Sequence, residues 1–237
     1  MCGIKSKLLC PEFEEFLSHY DIVCLMETKL ADTDTVEING YTTFYKNREK
    51  YKHKSGGIMV LVKNCFVKFV TVFEEVCFKK RIGENVFDNY VFVSYDMCKH
   101  ALFFKVSSEL CKEDILFCAT YLEPEGSPYF NRQAYSEIEN TIVHLGIQGV
   151  CILGDLNSRT GQLNDVLEEN NYVDQLFDNN FNYLQPRVSQ DMHTNNMGYE
   201  LINFCKSCEM VILNGRVDAD DGVGRFTCKN ISVVDYV

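Results

Sequence analysis

The chain has 237 residues, 46% hydrophobic and 24% charged, a balance that argues against extensive disorder or a fibrous architecture and fits a compact unit with a sizeable core. With 23 basic against 34 acidic residues the formal net charge is −11, which excludes a protein that holds nucleic acid by charge alone, though not a nuclease whose carboxylates bind a divalent cation. No apolar run approaches the roughly 18 residues of a membrane-spanning helix, and the first residues, MCGIKSKLLCPEFEEF, lack the apolar core of a secretory signal. The expectation is a soluble intracellular protein without a membrane partner.

Pro11 opens a predicted helix that carries Phe13, Phe16, Leu17 and Tyr20 at helical spacing, and the apolar run 22–26 after it reads as a buried strand. Lys46, Arg48, Lys50, Lys52 and Lys54 crowd one stretch and Lys79, Lys80 and Arg81 another; each fits a solvated loop or a loop that touches phosphate. Strands are expected at 57–62, 65–73, 90–95, 101–106 and 115–122, all rich in β-branched and aromatic residues. A second helix is expected over 131–145, with Ala134, Ile138, Ile142 and Leu145 on one face, leading into a strand at 150–153 that ends on Gly154. Polar turn residues fill much of 178–198, followed by a helix at 199–208 and strands at 210–213 and 232–237. Strands mixed with helices without regular βαβ alternation favour two packed sheets with helices outside over a doubly wound sheet. The last strand meets the end of the chain with no polar tail, which reads as a fragment.

The 12 cysteines are scattered singly through apolar segments such as DIVCLM, ILFCAT and GVCILG, where a reduced thiol packs well. Cys205 and Cys208 have CxxC spacing, but with no second pair helix packing explains them better than zinc.

Several polar residues end or interrupt apolar strands, where a carboxylate is costly without a partner or a metal. They are Glu27 in IVCLME, Tyr121 and Glu123 in FCATYLEP, Asp155 and Asn157 in CILGDLN, and Asp235 in ISVVDYV. Strand tips lying side by side would aim these groups from rigid elements. Each also has a plain structural reading: Glu27 as a strand-end acid, Tyr121 as a core aromatic with a wet hydroxyl, Asp235 as a partner for nearby backbone. GDLN says more. A Gly that permits a sharp turn, then Asp and Asn two apart on one side of the chain, presents an acid and an amide together, suited to a water and a phosphate oxygen.

In order, METKL, TYLEP, GDLNSRTG, GRFT and SVVDYV resemble the endonuclease/exonuclease/phosphatase superfamily over nearly the whole chain. The texture of PEFEEFLSHYDIVCLMETKL, GGIMVLV and LINFCKSCEMVILNGR is closest to the apurinic-endonuclease-like endonuclease domain of non-LTR retrotransposons. That resemblance implies a DNase-like four-layer α/β sandwich over residues 1–237, with two packed mixed β-sheets flanked by helices. It also implies Mg²⁺ (or Mn²⁺) as cofactor, DNA as partner, nuclear action, and a monomeric domain originally fused to a reverse transcriptase. Residue by residue, Glu27 matches the metal-binding glutamate, Tyr121 the tyrosine beside the scissile phosphate, and Asp155 the acid that acts on the attacking water. Asn157 matches the amide on a phosphate oxygen, and Asp235 the aspartate that orients a catalytic histidine. The family's first-strand Asn and closing Ser-Asp-His motif have no counterpart among these residues, so the expectation is a domain truncated at both ends, whose 237 residues alone nick DNA weakly or not at all. None of His19, His53, His100, His144 and His193 stands in the histidine's context, and His193 in QDMHTNN reads as a surface loop residue. The alternatives are a phosphomonoesterase or phospholipid phosphodiesterase on the same fold, or an inactive remnant acting at most as a binding domain.

Overall fold

The computed structural model describes residues 3–31, 33–48, 55–73, 76–82, 89–95, 98–166 and 186–237. The chain forms two compact units, one of Met1–Ala119 with Asn140–Cys151, the other of Thr120–Glu139 with Ile152–Val237. Two strands, β8 (Ile115–Tyr121) and β9 (Gly149–Asp155), and the helix α3 (Ala134–Leu145) contribute residues to both.

The first unit is built on β1 (Ile22–Met26), β2 (Tyr41–Lys46) and β3 (Ile58–Lys63), an antiparallel sheet in the order β1-β3-β2. The central strand, IMVLVK, is buried at every residue but its last, because both faces of this sheet are covered. Register places Val23 opposite Leu61 and Leu25 opposite Met59, so these four share one face. That face packs on Ile4 of the single-turn α1 (Ile4–Lys7), on Phe13 and Leu17 of α2 (Pro11–Ser18), and on Leu30, Val36 and Ile38. The helix α2 starts on Pro11 with Glu12 and Glu14 in its first turn, where a missing N–H costs nothing and negative charge suits the helix dipole.

The other face of the sheet carries Val60, Val62 and Cys24, and β3 packs there against β7 (Ala101–Val106). Within this unit the second sheet runs β9-β8-β7-β4, with β4 (Val70–Phe73) antiparallel to β7. Phe103, Phe104, Leu116, Cys118 and Ala119 are buried in it. Burial pushes the Cys24 thiol up to about 12, with Cys151 adding to the shift, and Cys118 is likewise raised by burial. Such thiols stay protonated and behave as small apolar groups. Cys10, Cys24, Cys65, Cys98, Cys111, Cys118, Cys151, Cys205, Cys208 and Cys228 are free thiols. The hairpin of β5 (Val76–Ile82) and β6 (Asn89–Tyr95) forms a separate antiparallel pair. The α/β architecture expected from the sequence, two sheets flanked by helices, is present.

In the second unit the strand order is β10-β9-β8, with β10 (Asp235–Tyr236) antiparallel to β9. The first turns of α3 meet α4 (Asn196–Ser207) through Tyr135 and Phe204, ring centroids 5.3 Å apart. Two ion pairs brace the loops. Arg159 bonds Asp191 through Nε at 2.8 Å and Nη2 at 2.6 Å. Arg216 bonds Asp165 at 2.6 and 2.8 Å, with side chains 1% and 0% exposed. Burial alone would raise the Asp165 carboxyl, but the Arg216 fork and the Ile212 amide outweigh it and hold it below the usual carboxylate range.

Several expectations need correction. Residues 65–73 are not one strand: a 3₁₀ turn over Val67–Phe69 precedes β4. Residues 210–213 join no sheet; the Ile212 amide goes instead to Asp165 and that of Leu213 to Val237. The final strand is only Asp235–Tyr236, since Thr227 takes the amide of Val234. Phe16 and Tyr20 are 53% and 46% exposed and pair with each other, leaving Phe13 and Leu17 as the inward face of α2. Lys46 is no loop residue; it sits on β2 and donates to the Cys98 carbonyl at 2.7 Å, and burial lowers its pKa. Residues 50, 52 and 54 lie outside the described residues, as do residues 178–185 of the expected turn region 178–198.

Removing one member of a fully buried ion pair strands the other's charge, at a cost of about 3–5 kcal/mol. Asp165→Ala is expected to lower the unfolding free energy by about that amount, and Asp165→Leu with Arg216→Met by less. A loss from the single variant no larger than that of an average surface substitution in urea unfolding would contradict this. Because the folded pKa of Asp165 is depressed, its contribution is complete above the unfolded value, about 3.9, and is lost as pH falls through the lower folded value.

Candidate active site

The site in the second unit is assembled at one end of three neighbouring strands. Tyr121 is the last residue of β8, Asp155 the last of β9, and Asp235 the first of the antiparallel β10. Asp155 pairs directly with Asp235. Because the Leu156 amide donates to the Val234 carbonyl at 2.8 Å, this is a non-hydrogen-bonded pair, the closer kind, with Cα atoms about 4.5 Å apart and side chains on the same face. Two acids directly opposite one another destabilise a sheet, so folding alone gives no reason for the placement.

The turn after β9 is held from several directions. Gly154 has φ 139° and Asn157 φ 46°, left-handed values that Gly takes freely and Asn tolerates. Asn157 donates its backbone N–H to Asp155 Oδ1 at 3.1 Å and its side-chain Nδ2 to the Leu122 carbonyl at 2.7 Å. The Leu122 amide in turn donates to the Asp155 carbonyl at 2.9 Å. An amide nitrogen has two hydrogens, so Nδ2 keeps one beyond the bond to Leu122. Tyr121 and Glu123 flank Leu122 and are 6% and 3% exposed.

Asp235 stands on the exposed rim, yet partial desolvation of its carboxyl raises its pKa, and a hydrogen bond with Thr227 opposes the rise. The Thr227 hydroxyl also accepts from the amides of Val234 and Asp235 at 3.0 and 3.1 Å. On the opposite face of β10, Tyr236 is buried and donates to the Ser158 carbonyl at 2.6 Å. The strand is thereby tied to the loop that follows β9.

Glu27 belongs to the first unit, just past β1, with φ 57°, and Lys29 has φ 56°. Left-handed backbone costs about 1–2 kcal/mol at such residues. Here the Thr28 amide donates to the Gly57 carbonyl at 3.2 Å, the Lys29 amide to Gly56 at 2.8 Å, and the Ile4 amide to Thr28 at 3.0 Å. The Glu27 carboxylate is 26% exposed and its Oε2 lies 3.9 Å from Lys29 Nζ. Gly57 is required in this turn, since a Cβ there would lie 2.5 Å from Thr28 Oγ1.

The structure thus brings Tyr121, Asp155, Asn157 and Asp235 to one set of strand ends and places Glu27 on a strained turn of the other unit. Sequence reasoning missed Thr227 and Asn195. Thr227 stands in the GRFT segment, and Asn195, the N-cap of α4, is legible as a capping residue once the helix is started three residues earlier than its apolar pattern indicates. Cys205 is buried in α4 and Cys208 caps its end. Among the described residues no three His, Cys, Asp or Glu side chains cluster as a metal cage. His193 is exposed in its loop.

No family model and no curated protein matches the chain. Among solved structures, the chain is similar to the AP endonuclease LMAP from Leishmania major, at 19% identity over 67% of this chain and 53% of that one, with a TM-score of 0.48. It is similar to the 3′ phosphatase NExo from Neisseria bound to a product DNA hairpin, at 14% identity over 67% of this chain and 56% of that one, TM-score 0.40. A third is an endonuclease/exonuclease/phosphatase family protein from Leptotrichia buccalis, at 12% identity over 98% of this chain and 79% of that one, TM-score 0.47. The matches span about half the length of the first two proteins.

The Asp235 environment makes a direct prediction. Its carboxyl, followed by NMR, is expected to titrate above the free value of about 3.9, and Thr227→Val to move the midpoint higher still. A midpoint below the free value, or one indifferent to Thr227→Val, would contradict this reading.

Proposed function

We propose that this protein is a phosphoesterase of the endonuclease/exonuclease/phosphatase type, acting with magnesium or manganese as a DNA endonuclease that nicks target DNA for retrotransposition. The observation that carries the reading is the facing pair Asp155 and Asp235 at strand ends, beside an Asn157 fixed in a left-handed turn. That arrangement sets out an acid for a water, an amide for a phosphate oxygen, and a second acid able to hold a cationic partner. The same reading proposes nuclear action, as a monomeric domain working with a reverse transcriptase.

Hydrolysis of a phosphodiester needs an aimed water, neutralised non-bridging oxygens and a stabilised leaving oxygen. Asp155 is positioned by its bond from the Asn157 amide to orient the water and take its proton. The second Nδ2 hydrogen of Asn157 and the hydroxyl of Tyr121 donate to charge growing on the phosphorus oxygens. Glu27 would hold the metal. Its partly exposed carboxylate suits Mg²⁺, which takes one or two carboxylates and fills its remaining positions with water and substrate oxygens. When bound, the ion supplies Lewis-acid neutralisation of the phosphate.

In the natural gene product, Asp155→Asn is expected to lower magnesium-dependent nicking of supercoiled plasmid by about 10²-fold or more with DNA affinity unchanged. Unaltered nicking by that variant would sink the assignment. Glu27→Gln is expected to move half-maximal activity to higher magnesium, read from a metal titration of the initial rate.

A further inference from the structure

The turn that presents Asn157 is not held by its own strand alone. Asn195, at the start of α4, makes three side-chain bonds into or around it. Its Oδ1 accepts from the Gly198 amide at 2.8 Å, the ordinary duty of a helix N-cap. The same Oδ1 accepts from the Arg159 amide at 2.9 Å, and Nδ2 donates to the Asn157 carbonyl at 3.0 Å. The Asn195 backbone amide closes the arrangement by donating to the Arg159 carbonyl at 3.0 Å.

Capping needs only the acceptor. Asp or Ser would supply it equally well, and Asp would gain from the helix dipole. Asn adds a donor, and that donor goes to the carbonyl of the residue with φ 46°. Gly198 lets the helix come this close, since a Cβ there would overlap the Arg159 carbonyl oxygen. The frame is rigid on the far side as well, because Arg159 is clamped by Asp191, whose carboxylate also accepts from the amides of His193 and Val233.

We propose that Asn195 is a positioning residue for the phosphoesterase reaction, its Nδ2 holding Asn157 in the conformation that aims the Asn157 amide. This rests on the phosphoesterase reading above. Asn195 touches no reacting atom. Its donor fixes the carbonyl of Asn157, while the Asn157 amide and side chain are fixed by Asp155 and Leu122. With the donor lost, the Asn157 carbonyl loses its anchor and the peptide after it is free to rotate about ψ, so the left-handed turn rests on the Asp155 and Leu122 bonds alone and the Asn157 side chain is aimed less tightly.

The two duties separate in a pair of variants of the natural gene product. Asn195→Asp keeps the acceptor and the cap but replaces the donor with an oxygen that repels the Asn157 carbonyl; Asn195→Ala loses both. The expected results are that Asn195→Asp melts with the parent while Asn195→Ala melts lower, and that both lose about 10- to 100-fold in kcat with KM for DNA unchanged. Amide exchange across 156–158, followed by mass spectrometry, is expected to quicken in Asn195→Asp despite its intact stability. Parental kcat and parental exchange in Asn195→Asp would overturn the proposal, as would a loss that tracks melting temperature alone. A parent protein that cleaves no phosphoester refutes the phosphoesterase reading and the positioning role with it, while the exchange data decide independently whether the clamp on Asn157 exists.

Discussion

The arrangement at the strand ends depends on how β9 stops. The strand is paired to β10 so that Asp155 and Asp235 oppose each other in a close, non-hydrogen-bonded position; Gly154, just before Asp155, and Asn157, in the turn just after it, both have backbone that most residues avoid. A turn of this kind persists only where its surroundings over-determine it. Here they do: Asp155, Leu122 and Asn195 each take one polar group of Asn157. The opposed acids and the strained turn are both unfavourable to folding, and they occur within three residues of each other, which ties them to function more firmly than either would alone.

The two ion pairs, Arg216–Asp165 fully buried and Arg159–Asp191 half-buried, are the structural counterpart of that strained end. Asp191 binds Arg159 and accepts two backbone amides, one of them on the segment that leads into β10. Asp165 binds Arg216 and takes the Ile212 amide. Each carboxylate fixes a loop that has no sheet or helix of its own, which explains how long irregular segments between β9 and β10 still present Thr227 and Asn195 at defined places.

How far the sequence discloses all this differs by element. The buried strands 58–63 and 101–106 are plain because both sides of each are covered and the run is mostly apolar, and 22–26 is equally plain as an apolar run although its residues are only half-buried, short of the buried strand expected there. β2 and β5, reading YTTFYK and VCFKKRI, mix Thr, Lys and Arg with apolar residues and leave too weak a pattern to stand out. Residues 210–213 look like a strand by composition but spend their amides on Asp165 and Val237, a choice that only tertiary structure makes. Of the site, GDLN is legible since a Gly, an acid and an amide at that spacing carry their own geometry. The pairing of Asp155 with Asp235 is not, because register across 80 residues of intervening chain leaves no local trace. Asn195 is hidden for a related reason: its partners are at 157 and 159, and nothing near it in sequence announces them.

The most direct test of the account is hydrolysis itself: the folded natural gene product assayed with magnesium against supercoiled DNA, an inositol phosphate and sphingomyelin, with a chelator control. The account predicts nicking of DNA that stops when the metal is removed, with little turnover of the other two. A folded protein that cleaves none of the three would contradict it, and turnover of the small phosphoesters alone would keep the chemistry while removing DNA as the substrate.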